Sequence, residues 1–121
     1  MAVRWNFPGT ILAWIDGDTV DVSIDLGFKI HLKERLRLEG INTPESNSKD
    51  TNERQRAKDA RDFAARIAPP GSKVFLATTP TGAGQEKYGR WLAIIQTPDG
   101  QDVGKLLIAN GLGVPYDGSK R

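Results

Sequence analysis

Thr19-Val20-Asp21-Val22-Ser23-Ile24-Asp25 is followed, after Leu26-Gly27-Phe28, by Lys29-Ile30-His31-Leu32-Lys33-Glu34-Arg35-Leu36-Arg37-Leu38. Both stretches alternate with a period of two, the signature of half-buried strands. In the first, Val20, Val22 and Ile24 share one face, and Thr19, Asp21, Ser23 and Asp25 the other. In the second, Ile30, Leu32, Leu36 and Leu38 face one way, and Lys29, His31, Lys33, Arg35 and Arg37 the opposite way. Glu34 alone breaks the pattern. Two such runs joined through Asp25-Leu26-Gly27 predict a hairpin.

Downstream, Asp50 and Glu53 have capping-box spacing. Ala57, Ala60, Phe63, Ala64 and Ile67 then recur at helical intervals until Pro69-Pro70-Gly71 stops the helix. Lys73–Thr78 and Trp91–Gln96 read as strands, separated by a turn-rich stretch from Thr79 to Gln85. Asp102 is placed to cap a short helix bearing Val103, Leu106 and Leu107, with Gly111 as its stop. The tail from Gly113 to Arg121 reads as irregular. Short strands with one or two helices predict an α+β, mainly β chain: a small closed barrel of the OB type with helices packed on it. No repeat or linker divides residues 1–121, so a single domain is expected.

Composition narrows the chemistry. Of 121 residues, 38% are hydrophobic and 26% charged, which suits a globular chain. There is no cysteine, which removes thiolate nucleophiles, disulfides and thiolate-bound zinc. The one histidine, His31, excludes any site that needs two. Carboxylates, arginines, hydroxyls and oxygen-bound metal are what is left. No apolar run is long enough to span a bilayer and no signal peptide is visible, so a cytoplasmic monomer without membrane attachment is expected. The net charge of +2 is mild evidence for an anionic partner.

Four segments carry possible chemistry. In Asp16-Gly17-Asp18-Thr19, Asp18 has the inward parity of Val20 and Val22, so its carboxylate is placed at a barrel mouth where a hard cation would be held; an Asp-Gly turn is the plainer reading. Arg37-Leu38-Glu39-Gly40-Ile41-Asn42-Thr43-Pro44-Glu45 gathers oxygen donors on one loop stiffened by proline, and an Asn-Thr-Pro turn beside a solvated glutamate explains it equally well. Lys87-Tyr88-Gly89-Arg90 brings an arginine, whose planar fork suits phosphate, to the start of a strand. Gly111 to Tyr116 closes the set.

The order of these motifs resembles the staphylococcal nuclease (thermonuclease) family from about Trp14 to Tyr116. The matching runs are Ile15-Asp16-Gly17-Asp18-Thr19-Val20, Arg37 to Glu45, Tyr88-Gly89-Arg90-Trp91-Leu92-Ala93 and Leu107-Ile108-Ala109-Asn110-Gly111-Leu112. The resemblance implies a five-stranded barrel with two or three helices, the chain stopping short of a full third one. It implies a calcium site at Asp18, Asn42 and the Thr43 carbonyl, phosphate-gripping Arg37 and Arg90, and Glu45 as the residue that orients or deprotonates water. Lys87 and Tyr88 would bind a terminal phosphate, and Tyr116 would stack on a base or sugar. Asn42 stands where the family usually has Asp, which lowers the charge of the site and predicts weaker calcium binding. The implied activity is calcium-dependent hydrolysis of DNA or RNA with little sequence preference. The alternative is an OB-type nucleic-acid-binding module that has lost catalysis.

Overall fold

The structure, a computed structural model, describes residues 4–78 and 90–116. Its elements in chain order are β1 (Trp5–Asp16), β2 (Thr19–Asp25), β3 (His31–Leu38), β4 (Ile41–Asn42), α1 (Thr51–Ile67), β5 (Lys73–Thr78), β6 (Trp91–Gln96), α2 (Val103–Ala109) and β7 (Val114–Pro115). Five strands close into a barrel in the order β1-β2-β3-β6-β5. All pairs are antiparallel except β3 with β6, which run parallel from Leu36↔Trp91 to Leu38↔Ala93. The expected five-stranded, OB-like barrel with two helices is therefore what the chain forms.

The alternating residues of β2 and of the second half of β3 fill the barrel, while Leu32 at the start of β3 stays half-exposed. Val20 and Val22 of β2 are fully buried together with Ile11 of β1, and Leu36, Leu38, Val74, Leu76, Ala93 and Ile95 complete the interior. Burying each large aliphatic side chain of this kind stabilises the fold by about 1.5–3 kcal/mol. The predicted pairing of the two strands holds, from Thr19↔Arg37 to Asp25↔His31. Lys29 and Ile30 belong instead to the turn, where Gly27, Phe28 and Lys29 all have positive φ (81°, 57° and 65°).

Helix α1 presents Ala57, Ala60 and Ala64 as its buried face and packs on β1. Small side chains let the helix lie close. Beyond its end, Trp14 Nε1 donates a 2.8 Å hydrogen bond to the Ala68 carbonyl. Asp50 caps α1 by accepting from Asn52 N, but the reciprocal half of the capping box does not form. Glu53 accepts instead from Ser48 Oγ (2.8 Å) and from Glu45 N (3.3 Å), so the glutamate ties down the preceding loop. Asp102 caps α2 as expected, accepting from Lys105 N. The tail is not wholly irregular: Ile41↔Pro115 and Asn42↔Val114 pair as a second, two-stranded sheet. No helix among the described residues is long and apolar enough to cross a membrane.

Candidate functional site

The turn between β1 and β2 and the loop after β3 meet at one rim of the barrel. Glycine permits the meeting. A Cβ on Gly17 would lie 2.9 Å from Ala60 Cβ and 3.1 Å from Thr43 Cγ2, so the turn is wedged between α1 and the β4 loop with no room for a side chain. Gly113 plays the same part on the other side, where a Cβ would come within 2.7 Å of Ile41 Cδ1. This close approach lets β7 lie on β4 and brings Tyr116 to the site.

At that rim Asp18, 7% exposed, is held on both oxygens. Its Oδ1 accepts from Thr19 Oγ1 (3.1 Å), and its Oδ2 accepts from Thr43 N (3.0 Å) and from Arg37 Nη2 (3.4 Å). Arg37 is 6% exposed, far less than its basic-face neighbours on β3. A buried guanidinium is tolerated only where its donors are used. Here Nη2 also donates to Asn42 Oδ1 at 2.7 Å, and Nη1 to the carbonyls of Ile41 (3.1 Å) and Leu38 (3.4 Å). The Tyr116 ring lies over the guanidinium, 5.2 Å from its carbon to the ring centroid, within cation–π range. Tyr116 N in turn donates to the Gly40 carbonyl (3.0 Å), fixing the ring's position.

Sequence reasoning placed Asp18, Arg37, Asn42 and Thr43 at one site, and the structure brings all four into one hydrogen-bonded cluster. Arg90 immediately precedes β6, and Leu92 of that strand pairs with Arg37, so the second arginine stands at the start of the strand beside the first. Glu45 lies on the exposed loop three residues past Asn42, and its carboxylate makes no hydrogen bond to the cluster. Lys87 and Tyr88 fall outside the described residues, as does the turn-rich stretch from Thr79 to Gln85. His31 is exposed, as a strand histidine on the outer face should be.

Three positioning residues escaped the sequence reading. Asp16 Oδ1 accepts from Ser46 N (3.3 Å), and Glu53 holds Glu45 N, so two carboxylates anchor the loop that carries Glu45. The hydrogen bond from Ser48 draws the Glu53 carboxyl below its ordinary pKa. Arg4 grips Glu39 with two hydrogen bonds of 2.8 and 2.6 Å and pins the β3–β4 turn; the same hydrogen-bonded pairing raises the Arg4 pKa. Only the capping spacing of Asp50 and Glu53 hinted at any of this, and it pointed to a different partner.

The donors suit a hard cation in kind: one carboxylate, one amide oxygen, and the carbonyl and hydroxyl of Thr43. Thr43 Oγ1 is buried without a hydrogen-bond partner among the described residues. An orphaned oxygen beside a carboxylate is what an oxygen-seeking cation or its water would satisfy. The charge is low, since no three Asp, Glu or His side chains come together among the described residues.

The family profile for staphylococcal nuclease homologues matches residues 35–121, which takes in Arg37, Asn42, Thr43, Glu45, Arg90 and Tyr116 and leaves Asp18 on the part before it. The chain is also 28% identical over 123 aligned positions to Endonuclease YhcR of Bacillus subtilis (strain 168), across 92% of this chain and 9% of that protein. The chain thus spans under a tenth of that relative's length. With the five-stranded barrel and the arginine-centred rim in place, the matched profile assigns this chain to the staphylococcal nuclease homologue family.

Proposed function

We propose that this chain is a calcium-dependent phosphodiesterase that hydrolyses DNA or RNA with little sequence preference. The observation that carries the reading is the convergence of Asp18, Arg37, Asn42 and Thr43 on one barrel rim, with Arg90 at the start of the strand beside Arg37. Family membership and the likeness to a protein named as an endonuclease support it.

The oxygens of Asp18, Asn42 and Thr43 would hold the cation, which when bound supplies positive charge to polarise a phosphoryl oxygen. Arg37 and Arg90 grip the remaining phosphoryl oxygens and stabilise the charge that builds in the transition state. Glu45, exposed and free of the cluster's hydrogen bonds, orients the attacking water or accepts its proton. Asp16 and Glu53 hold the Glu45 loop by its main chain and so set where that carboxylate can reach. Lys87 and Tyr88 bind a terminal phosphate. Tyr116 braces Arg37 through its ring and stacks on a base or sugar.

A second reading is a binding module without catalysis. It is favoured by one feature: Arg37 spends Nη1 and Nη2 on Asn42, Asp18 and two carbonyls. Cleavage of labelled single-stranded DNA and of RNA, with calcium, with magnesium and with chelator, decides between them. Glu45→Ala is the control, because an exposed loop residue can be truncated without unfolding the barrel. Calcium-dependent cutting that falls by about 100- to 1000-fold in the variant supports the enzyme. Binding without cutting at any calcium concentration establishes the module.

A further inference from the structure

At one end of the barrel, a cavity of about 380 Å³ is walled by Trp5, Leu26, Leu32, Leu76 and Trp91, with Glu34 as its only charged wall residue among the described residues. That volume lies within the range of pockets that take a substantial group, roughly 300–1,000 Å³. Beside it projects the β2–β3 turn. Phe28 at its tip is 96% exposed, which is unusual for so large an apolar ring. Leu26, Ile30, Leu32 and Trp5 around it are 40–55% exposed, making one apolar face.

The tip is built and not loose. Leu26 N donates to the Ile30 carbonyl (2.9 Å), Ile30 N to the Gly27 carbonyl (2.9 Å), and Gly27 N to Asp25 Oδ1 (2.8 Å). Within this frame Phe28 and Lys29 both hold positive φ, a conformation that side chains other than glycine avoid. The turn therefore keeps Phe28 out in solvent beside a cavity that accepts such a ring.

We propose that this face joins two copies of the chain, the Phe28 of each entering the apolar cavity of the other. A knob and a hole on the same surface are self-complementary under a two-fold axis, which buries both in one closed dimer. Charge fixes the choice of occupant. Lys29, next to Phe28, and Glu34, on the cavity wall, each lack an ion-pair partner among the described residues. Docking Phe28 sets Lys29 of one copy beside Glu34 of its mate, twice in the dimer. The association does not depend on whether the barrel cuts nucleic acid.

Sedimentation of the whole chain from roughly 10 μM to 1 mM tests it, since a small interface associates weakly. The expected mass rises with concentration from 13.3 kDa toward twice that value. Phe28→Asp is expected to weaken association by about 100-fold or more, because every copy carries the substitution and two buried rings are lost, while leaving the circular dichroism unchanged. Lys29→Glu and Glu34→Lys are each expected to weaken it, and the double variant to restore it. A wild-type chain that stays monomeric throughout overturns the proposal, and Phe28-dependent sedimentation of that monomer with anionic vesicles would assign the face to a lipid surface. A dimer indifferent to Phe28→Asp, or a double variant no better than the singles, overturns the exchange geometry.

Discussion

Arg37 donates to Asn42 Oδ1 across 2.7 Å through the same nitrogen, Nη2, that faces Asp18. A neutral amide thus shares a buried cation with a carboxylate. Replacing it with a charged acceptor changes both the pairing and the charge of the oxygen set. Asn42→Asp is expected to bind calcium about tenfold more tightly, equivalent to ~1.4 kcal/mol. Calorimetric titration of both proteins reads this directly, and equal affinities would refute it.

Thr43 gives a prediction whose size differs between two conditions. Its hydroxyl is buried and unpartnered, and such a group costs about 1–3 kcal/mol of desolvation. Thr43→Val keeps the shape and removes the cost. In chelator the variant is expected to be more stable by about 1 kcal/mol in urea denaturation. In calcium the advantage should shrink, because the oxygen that would meet the ion or its water is gone. A variant that is less stable in chelator would mean the hydroxyl is already satisfied.

Gly17 sits where a Cβ would meet Ala60 and Thr43 at 2.9 and 3.1 Å. Neither neighbour is the far end of a flexible side chain. Gly17→Ala is expected to cost about 1–3 kcal/mol by overpacking and to move the Asp18 turn outward. Ala60→Gly alone costs about 1 kcal/mol of helix propensity. Combined, the two should cost less than their sum, because the second substitution makes room for the first. Strictly additive losses in thermal melts would show that the turn yields elsewhere.

Asp21 and Arg35 face each other across β2 and β3 with hydrogen bonds of 2.8 and 3.1 Å. Arg35 holds the Asp21 carboxyl below its ordinary pKa, chiefly through those bonds. A depressed folded-state pKa adds stability that is complete above the unfolded-state value and is lost as pH falls through the folded one. The wild type should therefore exceed Asp21→Asn in stability at neutral pH, and the difference should start to close near pH ~4 and vanish below the folded value. The pair is partly exposed, so the neutral-pH difference is expected to stay within about 1 kcal/mol. A gap that is constant from pH 7 to pH 2.5 would contradict the linkage.

The barrel was legible because its strands alternate and its helix repeats with alanines. The second and third strands, the fifth and sixth, and both helix caps follow from local pattern alone. The long first strand was not delimited, since Trp5–Asp16 pairs β5 with its first half and β2 with its second, and a strand that changes partner carries no single rhythm. The site residues were legible as motifs, but their bonding was not. That Arg37 is buried, that Tyr116 lies on it, and that Glu53 holds the loop and not its own helix start all depend on chain segments distant in sequence. Spacing cannot report such contacts.

The parallel seam between β3 and β6 has a kinetic meaning. Its three residue pairs join positions 36–38 to positions 91–93, so this seam of the barrel shuts through a contact between residues far apart in the sequence. Closing so long a loop costs entropy before it is repaid, which makes non-local pairing late and slow. The β1-β2-β3 meander, built from short connections, can gather first and carries Asp18 and Arg37 with it. Arg90 arrives only with the seam. If Arg37 and Arg90 grip phosphate as proposed, recovery of phosphate binding during refolding is expected to lag the recovery of strand signal, and the interval between them times the closing of this seam.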